Sequence, residues 1–370
     1  MFRTEGRVGL ARRDLVADWR RLVVGVLAIG LAMMLILLLG GLWQGVKTQA
    51  SIYPDHAGAQ LFVTQRGVAN FAGETSTLPR STVGIVRRAA GVDWAAAVRG
   101  QFVVFDLHAQ KVAAYVVGYV PNGRGGPWQL AKGRAIRSDG EVVVDRSLAD
   151  RHGLGIGELL SVGGQSFRIV GLSSGTSATM TGFVFISHAA ADRLLQAPGT
   201  TSYVLVGTKT PAATAARLGK LGLTAFTRQQ LAANDRTLAT GIFGAPIKLM
   251  VGVAAIAGTL IVALTVYAAV TDRRREYGVI KAIGASRLFI VGVVVRQAIV
   301  LSLAGLAVGG VMFWLARSLL HTWRPQFLIV ITTTAVFSTL IAAIVMAMLA
   351  AVLPARQVAN AEPASVYRGA

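Results

Sequence analysis

The chain has 370 residues, 54% of them hydrophobic, with a mean hydropathy of +0.57 and only 15% charged, a balance that favours membrane spans over a soluble globule. Its 37 lysines and arginines outnumber 17 acids, and the net +20 suits nucleic acid, anionic lipid or the basic loops of a membrane protein. The absence of cysteine excludes disulfides, thiolate metal sites and a cysteine nucleophile without fixing a compartment.

In chain order, residues 1–21 come first. Val8, Ala11, Leu15, Trp19 and Leu22 share one helical face, and Arg7, Asp14, Asp18 and Arg21 the other, which predicts an amphipathic helix on the inner leaflet. Residues 22–44 form the first predicted span. Leu22 to Trp43 carries no charge, and about 20 such residues cross a bilayer. The arginine-rich, acid-containing stretch before it argues for a retained span over a cleaved signal peptide.

Residues 45–245 have a domain composition. Ala59–Gln65, Gln101–Leu107, Val112–Val120, Glu141–Asp145, Ser166–Leu172, Phe183–Ser187 and Tyr203–Gly207 read as strands bounded by turn residues. Arg80–Ala90, Ser147–His152, Ala189–Leu195 and Pro211–Leu221 read as helices. The expectation is an α+β domain with antiparallel pairing, turning at Gly123–Gly126 and Gly163–Gly164. It carries 20 basic and 11 acidic residues, which fits either a solvated basic surface or attraction to anionic headgroups or an acidic partner.

Three further spans are predicted at residues 246–270, 289–316 and 327–353. The second is broken only by Lys248, the third contains Arg296 and Gln297, and the fourth is free of charge. Arg296 lies about 13 Å along a helix from Arg287, so it is either a functional charge in the bilayer or a side chain snorkelling at the interface. Gly305 and Gly309 form a GxxxG that permits close helix packing within the subunit or across a dimer, and Gly41 and Gly45 form another. The basic flanks at residues 1–21 and 271–288 place both of these, and the tail 354–370, in the cytosol. Residues 45–245 and the short loop 317–326 then lie outside it. The fold class is an α-helical membrane protein with four transmembrane helices and an α+β extracytoplasmic domain inserted between helices 1 and 2.

The loop Thr271–Ser286 reads TDRRREYGVIKAIGAS. Val279, Ile280 and Ile283 recur at helical spacing after Glu276, and Gly284 is placed to stop the helix. The pattern suits an amphipathic helix that inserts into a groove on a soluble partner, or a charged turn that merely anchors two spans. No G-x-x-x-x-G-K-[ST] or H-E-x-x-H occurs, and His56, His108, His152, His188 and His321 are scattered singly. No catalytic residue, metal site or nucleotide-binding loop is predicted. Nucleic acid is excluded as a partner by the outward-facing charge.

Residues 273–286, RRREYGVIKAIGAS, resemble the R-x-R-E-I-G-x-x-K-A-x-G-A-S signature of FtsX/MacB-type ABC transporter permeases. Leu353-Pro354-Ala355-Arg356 with Ala361-Glu362-Pro363-Ala364 resembles the family's ending, and Gly140–Leu172 its periplasmic core domain. The stretch Leu22 to Asp55, with Leu78-Pro79-Arg80, looks closest to DevC-like permeases associated with glycolipid export. Tyr277 departs from the usual Ile, Gln297 from a frequent acid, and Ser365–Arg368 from the usual Ala-Leu-Arg.

The resemblance implies a non-catalytic permease subunit of the bacterial cytoplasmic (inner) membrane, paired with a second permease subunit, identical or not. A separate ABC ATPase would bind the ATP and Mg and dock on Arg274, Arg275, Glu276, Tyr277, Ile280, Lys281, Ile283 and Gly284, with Pro354 and Arg356 as tail contacts. Membrane lipid and, optionally, a periplasmic adaptor complete the partners. The function implied is transmission of ATPase motion to the outer domain for export or extraction of a lipid, lipoprotein or amphipathic compound. The alternative is an FtsX-like mechanotransmitter that activates an extracytoplasmic cell-wall hydrolase without transport.

Overall fold

The computed structural model describes residues 5–360 apart from 108, 179–180, 273–275, 278, 281–282 and 324–326, with side chains from Val23 to Arg356. Two compact units divide the chain. A helical unit comprises Met1–Gln44, Ala245–Trp323 and Ile329–Ala370, and an inserted unit comprises Gly45–Gly244 with Arg324–Leu328.

The helical unit is built from four long helices, α1 (Glu5–Ala50), α7 (Arg228–Asp272), α8 (Arg287–Trp323) and α9 (Thr333–Asn360). Each contains a stretch long and apolar enough to cross a membrane. One shared core joins Ile29 and Met33 of α1, Val262 and Val266 of α7, Val294 and Ala298 of α8, and Ala343 and Ala347 of α9. The spacing of four within each pair is one ridge of a helix surface, the arrangement that seats ridges into facing grooves. The opposite faces are apolar too. Leu249, Val253, Ile256, Leu260 and Leu264 leave a continuous exposed stripe on α7, as expected of helices whose solvent is lipid.

Helix extents differ from the sequence expectation in four places. α1 runs unbroken where an amphipathic helix and a separate span were expected, because nothing between Glu5 and Ala50 is a helix breaker stronger than glycine. The amphipathic face at Val8–Leu22 lies outside the described side chains. α7 starts at Arg228 and carries on through Pro246. α8 continues to Trp323, through part of the expected loop 317–326. α9 begins only at Thr333. The segment before it is extended, with the Val330 N–H donating to the Gly41 C=O at 3.1 Å. Thr332 then caps α9, its Oγ1 accepting from the Ala335 N–H at 3.1 Å.

Among the described residues, the inserted unit carries thirteen strands, of which β1 (Leu61–Thr64), β3 (Trp94–Leu107), β4 (Gln110–Tyr119), β5 (Leu130–Gly133), β6 (Glu141–Asp145), β8 (Gln165–Ser173), β10 (Thr181–Ser187), β12 (Tyr203–Gly207) and β13 (Thr224–Thr227) run in the order β13-β1-β12-β3-β4-β10-β6-β8-β5. Four short strands complete the set. β7 (Leu159–Val162) pairs with β8 and β9 (Ser177–Ala178) with β10, while β2 (Leu78–Pro79) and β11 (Thr200–Thr201) form a two-stranded sheet. The expected antiparallel pairing is corrected in two places, since β10 runs parallel to β4 and β6 parallel to β8. Between β6 and β8 the chain returns through α4 (Arg146–His152) and β7, the crossover that parallel neighbours require.

Both faces of the central strands are covered. On β10, Val184 and Ile186 enter one core with α4 and α5 (His188–Leu194), while Phe183 and Phe185 enter another with α2 (Ile52–His56). α3 (Thr82–Arg88) and α6 (Pro211–Lys220) cover Leu61, Val63, Val204 and Val206. This two-sided burial explains why these strands read as continuous apolar runs, not as alternations.

Candidate functional sites

The turn between α7 and α8 is the stretch singled out by sequence. Residues 276–277 and 279–280 are helical. The Ile283 N–H reaches the Val279 C=O at 3.1 Å, and the Ala285 N–H reaches back to the Ile280 C=O at 3.2 Å. With Gly284 at φ +103°, this is the six-to-one closure of a Schellman ending, which needs a left-handed residue that glycine supplies at no steric cost. Ser286 then starts α8, its Oγ accepting from the Phe289 N–H at 3.2 Å. A helix stop and a helix start within three residues hold the turn's geometry firmly.

Its side chains divide. Tyr277 packs against the core shared by the four helices. Glu276, Val279, Ile280 and Ile283 are exposed, Ile283 at 82%. Leu288 and Phe289, on the first turn of α8, are exposed as well. Arg274, Arg275 and Lys281 lie outside the described residues. Pro354 is buried and Arg356 exposed near the end of α9, beside Ala355 in the shared core. Arg296 is exposed on α8, on the same face as Val293 and Val300. Exposed Arg317 lies about 31 Å further along that helix, so the uncharged part of α8 between the two arginines matches the hydrocarbon thickness.

Gly305 and Gly309 face α1. A Cβ on Gly305 would lie 2.2 Å from Ile29 Cγ2, and one on Gly309 would lie 2.6 Å from the Gly30 carbonyl oxygen. The motif therefore serves packing within the subunit. Gly41 likewise admits Ile329, whose Cγ2 would lie 2.7 Å from a Cβ there.

A second feature was not anticipated from the sequence. The first turns of α7 belong to the inserted unit and are bonded to it through three successive residues. Asn234 Nδ2 donates to the Ala69 C=O at 2.7 Å. Asp235 Oδ1 accepts from the Phe71 N–H at 2.8 Å. Arg236 donates to Ser51 Oγ at 2.9 Å and to Asp55 Oδ2 at 2.7 Å. Phe71 is a hub. Its C=O accepts from the hydroxyls of Tyr115 at 2.7 Å and Tyr203 at 3.0 Å, and its ring stacks on Tyr53 with centroids 4.2 Å apart. Burial pushes the Asp235 carboxyl up to about 7, with the Asp55 charge adding to the rise and the two backbone N–H bonds and Arg236 opposing it. Leu231, Asp235, Leu238 and Ala239, spaced four and three apart, were the available sequence signal for a helix here.

Two polar clusters elsewhere are structural. His188 stands between Thr201, 3.2 Å from Nε2, and Asp192, 3.4 Å from Nδ1, the order of groups in an acyl-transfer triad. Thr201 is fully buried, however, its hydroxyl lies 3.0 Å from the Val98 C=O, and buried Arg99 holds Asp192 at 2.9 Å. Burial lowers the His188 pKa, and this cluster ties α5 to β3 and β11. Asp145 caps α4 and gathers the hydroxyls of Ser147, Thr176 and Ser177. Among the described residues, no group of three or more His, Cys, Asp or Glu is placed to hold a metal ion.

Comparison with known proteins agrees with this architecture. Residues 248–363 match the FtsX-like permease C-terminal family and residues 23–221 the MacB-like periplasmic core domain. The uncharacterized ABC transporter permease Rv0072 of Mycobacterium tuberculosis is 27% identical over 367 residues, covering 97% of this chain and 99% of that protein. The uncharacterized ABC transporter permease Mb2592 of Mycobacterium bovis is 28% identical over 375 residues, with the same coverage of both. The periplasmic region of MacB from Actinobacillus actinomycetemcomitans superposes with a TM-score of 0.37 at 11% identity, covering 52% of this chain and 94% of that one. The extracellular domain of the transporter YknZ from Gram-positive bacteria gives a TM-score of 0.35 at 10% identity, covering 46% of this chain and all of its own. The core-domain match takes in more than half of the chain and the C-terminal match its last three long helices, so the protein belongs to the FtsX/MacB-type ABC transporter permeases.

Proposed function

We propose that this permease receives the motion of a separate ABC ATPase on the turn at residues 276–284 and passes it along α7 to the inserted domain, which acts on a lipid, lipoprotein or amphipathic compound outside the cytosol. The observation that carries this reading is the exposed apolar set Val279, Ile280 and Ile283 on a turn fixed by a Schellman ending. Apolar side chains held in register beside a membrane span suit a groove on a soluble partner. Leu288 and Phe289 extend that surface, and Glu276 gives it a charged edge. The basic flanks support a cytosolic position for this turn and both termini, in what the reading takes to be a bacterial inner membrane. ATP and Mg bind in the partner, and the chain itself performs no chemistry.

Two permease subunits, each with an ATPase, would be drawn together when ATP binds. The transmission requires two arrangements of the pair that ATP stabilises unequally. Helix α7 is the connecting element, 45 residues without a break. The substrate class follows from the helical unit's interior. Among the described residues its only buried polar side chains are Ser302 and Thr339, which offers no hydrophilic path for a polar solute. Substrate-stimulated ATPase activity from a polar solute, with its transport across sealed vesicles, would count against that class.

The test of docking is co-purification of the tagged chain with the ABC ATPase encoded beside it, comparing wild type with Glu276→Lys plus Ile280→Asp. Retention by wild type and loss in the variant is expected. Equal retention by both would move the docking site elsewhere.

A further inference from the structure

The inserted unit contains a cavity of about 560 Å³ beside the first residues of β3, a volume in the range of small-molecule sites. Its position follows from the sheet. The pairing of β3 with β4 begins at Val98↔Tyr119, whereas β12 accompanies β3 from Trp94 onward. Trp94–Ala97 therefore have a strand on one side only. The Val98 C=O accepts from the Ser202 N–H on the β12 side, so strand alternation turns the polar groups of Ala95 and Ala97 to the other, uncovered side. Val83, Gly84 and Arg87 of α3 form one wall, and Val120, Gly123 and Arg124, in the segment after β4, form another.

Three guanidinium groups, those of Arg80, Arg87 and Arg124, line this cavity and no carboxylate does. Each is held by one partner with donors to spare. Arg80 reaches Asp192 at 3.5 Å, a carboxylate already bound more closely by Arg99 at 2.9 Å. Arg87 donates to the Ala95 C=O at 3.2 Å. Arg124 lies over the Trp94 ring, 4.9 Å from its centroid. Between the arginines the surface is apolar, made of Trp94, Ala95–Ala97, Val83 and Val120. Several forked cations over an apolar floor call for a ligand with a multi-oxygen anionic head and an apolar body. A phosphate matches guanidinium forks on more than one edge, which a single carboxylate does not. An acidic peptide adding to the free edge of β3 fits less well, because Arg87 already occupies the Ala95 carbonyl.

We infer that this cavity is a binding site for an anionic amphiphile whose head is a phosphate, the oxyanion an acidic phospholipid shares with free phosphate, with the apolar floor favouring the lipid. The site deepens the function proposed above and rests on it only for its role, since binding is measured with no ATPase present. The full chain, purified in a non-ionic detergent, is titrated calorimetrically with dihexanoyl phosphatidylglycerol, dihexanoyl phosphatidylcholine and inorganic phosphate. Wild type is compared with Arg87→Gln plus Arg124→Gln and with Gly84→Leu. The last adds bulk inside the cavity without changing charge, at a position where a Cβ meets nothing nearer than the Arg88 tip at 3.9 Å.

Saturable binding of phosphatidylglycerol is expected, at least tenfold tighter than that of phosphatidylcholine or inorganic phosphate. Either variant should weaken it at least tenfold at an unchanged melting temperature. Equal affinity of wild type and both variants for phosphatidylglycerol would overturn the site. Inorganic phosphate bound as tightly as the lipid would overturn the amphiphile and leave a free-anion site. Displacement of the lipid by a hexaglutamate peptide at equal concentration would overturn the ligand class. If the ATPase co-purifies and no lipid binds, the cavity assignment alone fails; if lipid binds and no ATPase is retained, the docking assignment alone fails.

Discussion

The two ends of α7 are built on opposite principles. At its start, Asn234, Asp235 and Arg236 each meet named partners within the inserted unit, and Phe71 is bonded at both its N–H and its C=O. Past its end, backbone bonds from Ile283 and Ala285 close the turn to α8, yet Val279, Ile280 and Ile283 are left in the open. The first end is a closed joint, in which Asp235 Oδ2 is the one buried side-chain polar atom of residues 234–236 without a hydrogen-bond partner. The second is an exposed apolar surface. On the proposed function, a helix that transmits force would need the first kind of end on the body it moves and the second kind where the ATPase docks.

Substitutions at the two ends should therefore separate two readouts. Ile283→Asp puts a charge into the uncovered set, where its desolvation opposes docking. Retention of the ATPase should fall about a hundredfold, equivalent to about 2.8 kcal/mol, while the chain's own melting temperature stays unchanged because the side chain packs on nothing. Asp235→Ala should do the reverse. It strands the buried N–H of Phe71, at a cost of about 1–3 kcal/mol, lowering the melting temperature with ATPase retention kept. A variant of either kind that moved both readouts together would falsify the division of labour. Gly309→Ala, in the helical unit, is a smaller perturbation. Its Cβ would press on the Gly30 carbonyl, and overpacking of this kind costs about 1–3 kcal/mol. A lower melting temperature in the detergent-solubilised chain checks it.

The uncovered end was legible in the sequence and the finished joint was not, for a physical reason. Val279, Ile280, Ile283 and Gly284 act through local spacing and a local φ value, and their pattern can be read within a dozen residues. The joint is non-local. Asp235 matters because Phe71, far away in the chain, lies beneath it, and no spacing in sequence records that contact. The strands divide in the same way. The long buried ones, such as Phe183–Ser187 and Tyr203–Gly207, stood out as apolar runs, whereas two-residue β2, β9 and β11 carry no pattern of their own. The parallel pairs β4·β10 and β6·β8 depend on the path of the chain between them, which composition does not encode. The Arg80, Arg87 and Arg124 cavity was foreshadowed only as a surplus of basic residues, because three separate segments bring its walls together.

The last expected effect is a pH dependence at the joint. Burial holds the Asp235 carboxyl near 7, against about 3.9 in an unfolded chain. The folded state therefore keeps the proton through a range in which the unfolded state has released it. Stability from this group is fully present below about pH 4 and is lost progressively as the pH rises to about 7. Glu141, held down to about 2 by Arg134, loses its contribution only below about pH 4 and does not interfere at neutral pH. His188 does interfere. Its lowered pKa makes stability fall as the pH drops below about 6.5, so the wild-type profile alone mixes two opposite slopes. Asp235→Asn resolves them, since the amide still accepts the Phe71 N–H through Oδ1 and does not titrate. Thermal unfolding of wild type and Asp235→Asn at pH 5 and pH 8 should show the variant melting higher than wild type by a clearly larger margin at pH 8 than at pH 5. An equal gap at both pH values would mean that Asp235 is ionised throughout and that the joint carries a fixed charge.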